Sequence, residues 1–329
     1  MARVKRVTIE DIAERAGVHP STVSRALNRP DEVSVATRTR IEAIATELGF
    51  TPNRAARGLI TGRTGNVAVI TPDITNPHFA SLVRAAGQAA RELDLQLLLV
   101  DTGEHRDEEV RAARTLAPEV DGLVVLSARY LHRALDAVGS TDVVFVDRPV
   151  KGRASVIMRA GAATGQAVSH LVGLGHRSIS YLAGPSSSWA SGERRRAVQR
   201  AGAAAGTVMN VIPVPTPTFE AASAVVDDVL AAGSTAVMAF NDQMALGVIS
   251  ALNARGIRVP DDLSVVGCDD VPMASMTSPA LTTIRMPVHQ AGARAVHRLH
   301  GGPGIEELPA ELVVRDSTGP VTPRGASGA

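Results

Sequence analysis

From residue 66 onward the chain repeats one pattern, in which a short and almost wholly apolar run is followed by an amphipathic stretch. The apolar runs read NVAVIT, LQLLLVD, DGLVVLS, DVVFVD, ISYLAG, VMNVIPV, TAVMAF and LSVVGC. Strands that are apolar on both faces and alternate with helices are typical of parallel sheets covered by helices on both sides. The pattern predicts an α/β body, and roughly ten such strands are too many for one small domain.

Polar residues follow the carboxyl ends of these strands, where doubly wound sheets bind their ligands. PDITNPHF follows the first run, GPSSSWASGER follows ISYLA, and polar pairs follow three other runs: Asp147 and Arg148, Asn241 and Asp242, and Asp269 and Asp270. Carboxylates, amides and an arginine beside a few rings suit a neutral polyhydroxyl ligand. Phe79, Trp189 and Phe219 fall in these loops although aromatic residues make up only 2% of the chain, but each could equally fill the core.

The composition limits the class of protein. A chain of 329 residues with 45% hydrophobic side chains is too long for one core and suits two or three domains. No run approaches ~20 apolar residues, and the start lacks the apolar core of a signal peptide, so we expect no membrane span, no export and a cytoplasmic location. Cys268 is the only cysteine, which excludes an intrachain disulfide and a cysteine-based zinc site.

Basic residues are concentrated at the start of the chain. Residues 1–63 hold 11 Lys and Arg against 7 Asp and Glu, whereas the rest holds 23 against 26. A basic head on a mildly acidic body indicates that the head binds a polyanion, although ordinary scatter of charge remains the alternative.

Three short helices are predicted in this head. Apolar residues over 9–16 recur at spacings of three and four and stop at Gly17, which ends the first helix. Pro20 suits the first turn of a second helix, because its missing N–H is no loss there. A third helix begins near Ser34 and ends at Gly49.

The second helix presents a small, polar and cationic face. Two helices joined by a tight turn form a helix-turn-helix, which places the second helix in the major groove of DNA. Arg25 can donate two parallel bonds to guanine and Ser21 can reach a base edge, whereas Thr22 and Ser24 can hold phosphates. Pro20 can offer only an apolar surface, for example to a thymine methyl. Taken alone, a surface helix with one solvated arginine would explain these residues equally simply.

Residues 52–65, PNRAARGLITGRTG, suit a short helix that is ordered only against a partner, since isolated helices need about 12–15 residues. Leu59 is apolar with little core nearby and lies beside Arg54 and Arg57. These features suit a hinge that folds on DNA and inserts a leucine into the minor groove. A flexible basic linker would explain the arginines but not Leu59.

These motifs together resemble the lactose repressor/galactose repressor (LacI/GalR) family of bacterial transcription regulators. The resemblance runs from Val7 to about Ser317 through VTIEDIAERAG, TVSRALN, VS..TR.RI..I..ELGF.PN..AR.L..GRT and PDITNPHF. It implies a dimeric repressor that reads a pseudo-palindromic operator, with Leu59 of both chains opening the central step. To the DNA contacts derived above it adds Thr8, Asn28, Ser34, Thr37, Asn53, Ala56 and Arg57. Where the family usually has Ser or Asp, this chain has His19, a weaker helix cap.

For the body, the resemblance implies a periplasmic-binding-protein-like domain of two doubly wound lobes with an effector cleft between them. The chain is expected to cross between lobes near Met158 and Met286, with a last crossing near Gly301. Matching positions imply effector contacts by His78, Phe79, Ser188, Arg194, Phe219, Asn241 and Asp269, to which the strand-end pattern adds Arg148 and Trp189. We expect a sugar effector, and a corepressor such as a nucleobase or a sugar phosphate is the alternative.

The expected organisation is a helix-turn-helix domain over 1–51, a hinge over 52–64, a two-lobed effector-binding and dimerisation domain over 65–317 and a tail over 318–329. The final TGPVTPRGASGA is rich in Pro, Gly, Ser and Ala, so we expect it to be disordered. It has no heptad pattern, which favours a homodimer over a tetramer.

Two other classes of protein fit parts of this sequence. A solute-binding protein would share the body but would be exported and would lack a basic head. An enzyme would need a catalytic group in the cleft, for which Asp269 could be nominated. GLGHRS lacks the third glycine of a dinucleotide loop, and His297 and His300 share a helical face without a third metal ligand. We therefore predict no catalytic residue, no cofactor and no metal.

Overall fold

Residues 7–50 and 62–321 are described by the computed structural model, and they belong to two units that divide between Gly65 and Asn66. The predicted fold class, a helical head and an α/β body, is confirmed. Residues 51–61 lie outside the described residues, and with them the predicted contacts Asn53, Ala56, Arg57 and Leu59. The predicted boundaries of the hinge therefore stay predictions.

The head contains the three predicted helices, α1 (Ile9–Ala16), α2 (Pro20–Asn28) and α3 (Val35–Glu47). Helix α1 begins with a capping box between Thr8 and Asp11 and ends at Gly17, whose φ of 64° is left-handed. The three helices bury one shared cluster of apolar side chains, which includes Ile12, Val23, Ala26, Ile41 and Ala45.

The body alternates strands and helices along the chain, as predicted. In chain order its elements are β1 (Asn66–Thr71), α4 (Pro77–Glu92), β2 (Gln96–Asp101), α5 (Arg106–Leu116), β3 (Gly122–Leu126), β4 (Val143–Val146), β5 (Ala154–Arg159), α6 (Gly161–Gly173), β6 (Ser178–Ala183), α7 (Trp189–Ala204), β7 (Val208–Pro213), α8 (Phe219–Ala224), α9 (Val226–Ala231), β8 (Ala236–Ala239), α10 (Asp242–Ala254), β9 (Ser264–Val266), β10 (Thr283–Arg285), α11 (Val288–His297), β11 (Gly304–Pro309) and β12 (Glu311–Val313).

Two parallel sheets form the cores of two lobes. The first lobe has the strand order β11-β5-β4-β3-β1-β2 and the second has β7-β6-β8-β9. Each of the eight apolar runs in the sequence contains a strand of these sheets. The central strands β3 and β4 are buried along their whole length, because helices cover both faces.

The chain crosses between the lobes three times, after β5, after β10 and after β11. The first two crossings fall next to Met158 and Met286, as predicted. The last crossing was predicted near Gly301, which is wrong, because β11 still pairs with β5 of the first lobe and the crossing falls at Ala310. The antiparallel pair β10 and β12 joins the two crossing strands of the second lobe.

The second lobe continues past Ser317, where the tail was predicted to begin. His170 Nε2 lies 2.9 Å from Thr318 Oγ1, His176 Nε2 lies 3.1 Å from the Gly319 carbonyl, and the Val321 amide donates to Leu174 at 2.9 Å. Burial lowers the pKa of both histidines, which favours their neutral forms. Residues 318–321 are thus hydrogen-bonded to the lobe, contrary to the prediction, and residues 322–329 lie outside the described part.

Within residues 7–50 and 62–321, no helix is long and apolar enough to cross a membrane. In the same residues, no group of three or more His, Cys, Asp and Glu side chains is arranged to hold a metal ion.

Helices α4 and α11 of the first lobe pack closely because of one glycine. A Cβ atom on Gly292 would lie 2.4 Å from the Leu82 carbonyl oxygen, whereas one on Gly165 of α6 would have no neighbour within 4 Å. We expect Gly292→Ala to lower the free energy of unfolding by about 1–3 kcal/mol through overpacking. Gly165→Ala should instead raise it by up to about 1 kcal/mol, because alanine favours helix. Urea unfolding measures both, and equal effects would contradict the close packing.

Candidate functional site

The second helix of the head begins with an unusual cap. His19 is the N-cap residue of α2, and its ring Nδ1 accepts a hydrogen bond from the Ser21 amide at 3.3 Å and lies 2.9 Å from Ser21 Oγ. Although histidine is a weaker cap than Ser or Asp, this ring does bond the free amide of the first turn. Because Nδ1 accepts, the proton of the neutral ring belongs on Nε2.

The predicted reading face of α2 is exposed. Val23 and Ala26 are buried in the head, whereas Ser21 and Arg25 point to solvent. Arg25 bends back along the helix, where its Nε donates to the Ser21 carbonyl at 3.2 Å and its Nη2 to Ser21 Oγ at 3.4 Å. A guanidinium held on the surface by weak local bonds is available to bond a base edge instead.

The other predicted DNA contacts in the described head lie at or near helix ends. Thr8 caps α1, and Ser34 caps α3 by accepting from the Thr37 amide at 3.4 Å. Pro20 occupies the first turn of α2, and Thr22 and Ser24 are half-buried on the same helix, which ends at Asn28. Helix N-termini carry unpaired N–H groups and a partial positive charge, so Thr8, Ser34 and Thr37 stand where phosphates bind well.

In the body, a cavity of about 240 Å³ lies between the lobes at the carboxyl ends of the strands. At its centre, the Asp269 carboxylate of the second lobe contacts a basic side chain from each lobe. Its Oδ1 lies 3.2 Å from His78 Nδ1, contributed by α4 of the first lobe, and 3.2 Å from Arg194 Nη2, contributed by α7. All three side chains are buried.

Five of the nine predicted effector residues line this cavity, namely His78, Phe79, Arg194, Asn241 and Asp269. The Arg194 guanidinium stacks 4.8 Å from the Phe240 ring centroid and donates to the Phe240 carbonyl at 2.6 Å. Asn241 caps α10 by accepting from the Met244 amide at 2.9 Å and donates to the Pro217 carbonyl at 3.0 Å. The functional groups are therefore held in place before any ligand arrives.

Burial and neighbouring charges shift the pKa values of the carboxyl groups in and behind the cavity. Burial alone would raise the pKa of Asp269, but the nearby His78 and Arg194 outweigh burial and lower that pKa, so the carboxylate stays ionised. Burial raises the pKa of Asp147, which faces the cavity from the end of β4 and accepts the Met158 amide at 2.8 Å. Behind the cavity, burial raises the pKa of Asp242 to about 7.

Asp147 and Arg129 are two of the four charged lining residues that are not among the predicted contacts, and the other two are Asp73 and Glu104. Asp147 stands at a predicted strand end but has no predicted contact. Arg129, two residues past the loop serine that follows β3, is buried and donates to both carboxylate oxygens of Glu104 at 2.6 Å. The rule that ligands bind beyond strand ends would have found both, because they follow DVVFV and DGLVVLS.

The remaining four predicted effector residues do not line this cavity. Arg148 contacts His132, Ser188 is buried as the N-cap of α7, and Phe219 is 40% exposed at the start of α8. Trp189 lines a neighbouring cavity of about 290 Å³. Their contacts with an effector stay predictions.

A helix-turn-helix head joined to a two-lobed body with a polar cleft is the architecture of a ligand-controlled DNA-binding regulator. The lacI family of bacterial regulatory proteins matches residues 8–53, and the periplasmic binding protein-like domain matches residues 168–322. The chain is 32% identical to the HTH-type transcriptional regulator DegA of Bacillus subtilis (strain 168) over 96% of its own length and 99% of that protein. It is 35% identical to the HTH-type transcriptional regulator CelR of Thermobifida fusca, over 89% and 90% of the two chains.

Two solved structures are similar to this chain over nearly its whole length. The lac repressor dimer bound to operator and the anti-inducer ONPF has a TM-score of 0.85 and 30% identity, covering 96% of this chain and 100% of that one. The CelR–cellobiose complex has a TM-score of 0.70 and 31% identity, covering 95% and 100%. The chain therefore belongs to the lacI family and is a DNA-binding transcriptional regulator, which confirms the resemblance stated from the sequence.

Proposed function

We propose that this regulator binds a pseudo-palindromic operator as a homodimer and that a neutral sugar in the interlobe cleft controls this binding. The observation that carries the proposal is the buried contact of Asp269 with His78 and Arg194, which joins both lobes at a polar cavity. A lac repressor dimer has been solved on operator DNA and CelR with cellobiose, and this chain resembles both over at least 95% of its length.

In the head, Arg25 is the proposed base reader. Its bonds to Ser21 are long and exposed, so exchanging them for a bidentate bond to guanine gains free energy. The Nε2–H of His19 faces away from the capping bond and can donate to a nearby DNA acceptor. Thr8, Ser34 and Thr37 are the proposed phosphate contacts that fix the orientation of the head.

In the cleft, the pairing of charges favours a neutral ligand over a phosphorylated one. Arg129 is neutralised by Glu104 and Arg194 by Asp269, so neither guanidinium is free to compensate a phosphate. Asp73 adds a carboxylate to the same lining. Hydroxyl groups of a sugar can donate to these oxygens and accept from Arg194 and Asn241, whereas a phosphate would face their repulsion.

Control follows from the position of Asp269 between the lobes. A ligand that bonds its carboxylate competes with His78 of the first lobe and so changes the balance between open and closed arrangements. Strand β1 of that lobe continues directly from the linker of the head. If the ligand binds one arrangement more tightly than the other, this difference in binding free energy couples ligand binding in the cleft to DNA binding by the head.

Exposed apolar residues point to the dimer surface. Strand β2 is an edge strand of the first sheet and exposes Leu98 and Leu99, with Leu93 just before it. In the second lobe, Met273 and Met276 are exposed after β9, and Met276 is 77% exposed. We propose that a second copy covers β2 and this methionine loop, because unpaired edges and apolar patches are otherwise aggregation sites.

The relatives are transcription regulators, which supports a non-enzymatic role for this chain. We place the protein in the cytoplasm, associated with the nucleoid when it is bound to DNA.

Arg25→Ala should weaken binding to an operator selected from random duplexes by about 1–3 kcal/mol, since one bidentate base contact is lost. Fluorescence anisotropy with selected and random duplexes measures this difference. Arg15→Ala is the control, because Arg15 is exposed on α1 and pairs with Glu47. An equal loss on both duplexes would contradict base reading by Arg25.

Asp269→Asn should weaken sugar binding by about 1.5–3 kcal/mol, because the charged acceptor of the ligand hydroxyls is removed. Titration of a labelled operator with sugar measures this loss together with the direction of control. Asp261→Asn, an exposed carboxylate paired with Arg258, is the control. A variant at Asp269 that responds to sugar like the parent would overturn the cleft assignment.

Leu98→Glu combined with Met276→Glu should give monomers in light scattering, because both place a charge on the proposed dimer surface. Ile305→Glu is the matched control, since Ile305 is exposed on β11 at the opposite edge of the same sheet as β2. Dimers of the double variant, or monomers of the control, would refute the proposed surface.

A further inference from the structure

A buried carboxyl group behind the cavity joins three segments of the second lobe. Asp242 is fully buried and directly follows Asn241, which lines the cavity. Its Oδ2 accepts a hydrogen bond from the Val271 amide at 2.8 Å, and its Oδ1 accepts one from the Thr283 hydroxyl at 2.5 Å. The start of α10 is therefore bonded both to the loop that carries Asp269 and to β10.

The loop that carries Asp269 runs beside β10 toward a crossing between the lobes. In this loop the Gly267 amide donates to the Thr282 carbonyl at 2.8 Å. The Asp269 amide donates to the Ile284 carbonyl at the same distance of 2.8 Å. Because Met286 at the crossing follows β10 directly, a shift of β10 moves the backbone that connects the lobes.

Asp242 acts through hydrogen bonds instead of through a paired charge. Within residues 7–50 and 62–321, no arginine, lysine or histidine forms an ion pair with Asp242, and both of its donors are neutral. Burial, followed by the nearby charge of Asp269, raises the pKa of Asp242 to about 7. A Cβ atom on Gly267 would overlap Asp242 Oδ1, so the glycine leaves the space that the carboxyl group occupies.

We propose that Asp242 is a positioning residue that transmits ligand contact at Asn241 to β10 and so to the crossing between the lobes. Neither Asp242 nor Thr283 lines the two cavities of the cleft, so both act through other residues. A ligand that bonds Asn241 shifts the start of α10, and the carboxyl group of the next residue passes this shift to Thr283. This inference rests on the proposed function of the cleft and goes beyond it by naming the contact that links the cleft to the crossing.

Thr283→Val removes the hydroxyl but keeps the shape of the side chain, and so breaks the bond between Asp242 and β10. The probes are glucose, galactose, ribose, cellobiose and lactose, and the one that binds the parent most tightly in calorimetry is used. Its affinity for the variant should match the parent, because the lining of the cavity is unchanged. Its effect on operator affinity, typically about 5–150-fold between coupled sites, should fall to about twofold or less. A parallel loss of affinity and effect would show that Asp242 only maintains the shape of the cavity, and would overturn the proposal.

Thr283→Ala removes the same hydroxyl and covers the case that Thr283→Val fails to fold. Asp242→Asn is the conservative variant, because its amide group can still accept from the Val271 amide and donate to the Thr283 hydroxyl oxygen, so it should retain the effect of the sugar. Thr207→Val is the control, since Thr207 is a buried threonine of the same lobe whose hydroxyl has no hydrogen-bond partner among the described residues. An undiminished effect in Thr283→Val, or an equal loss in Asp242→Asn, would contradict the assignment.

Hydrogen exchange tests the same link without sugar. In the full-length Thr283→Val protein, the Gly267 and Asp269 amides should exchange about tenfold faster than in the parent, because β10 has lost a bond to α10. Exchange in β6 of the same lobe should be unchanged. Equal exchange of both amides in variant and parent would refute the positioning role. Failure of all five sugars to bind the parent would instead overturn the proposed sugar site, and hydrogen exchange would then decide the role of Asp242.

Discussion

The carboxylate of Asp269 is the contact on which the arrangement of the body depends. It is buried, it pairs with His78 of one lobe and Arg194 of the other, and its backbone has a φ of 128°. Such a backbone conformation costs about 1–3 kcal/mol in a residue other than glycine and persists only where the surroundings determine it. Two backbone hydrogen bonds hold this conformation. The Asp269 amide donates to the Ile284 carbonyl at 2.8 Å, and the Asp269 carbonyl accepts from the Met286 amide.

The next residue ties the same loop to the strands that cross between the lobes. Asp270 accepts from Arg285 Nε at 2.7 Å and from Arg315 Nη2 at 2.6 Å. Two adjacent carboxylates therefore point in different directions, Asp269 into the cavity and Asp270 toward the crossing strands. The buried pair of Asp269 and Arg194 adds little net stability but is costly to break from one side, so it helps to fix this loop.

Much of the fold follows from local sequence, and the exceptions have physical causes. The strands β1, β3 and β4 are predictable because burial on both faces demands continuous apolar residues. Strand β11, GIEELP, lacks this apolar pattern because it lies at a sheet edge and is mostly exposed. The sequence therefore did not show the strand, and the last crossing was predicted too early in the chain. The order of residues 318–321 depends on His170 and His176, nearly 150 residues earlier, a contact that composition cannot reveal.

The candidate site likewise contains residues that local sequence places correctly and residues whose surroundings depend on distant parts of the chain. Residues such as Asn241 and Asp269 follow buried strands directly, so the strand-end rule places them in the cleft. Arg129 also follows a buried strand, but its pairing with Glu104, which follows another strand, cannot be read from local sequence. The position of Trp189 beyond a strand end is visible in the sequence, but the cavity that it lines also needs Met158 and Met286, which come from two crossings far apart in sequence.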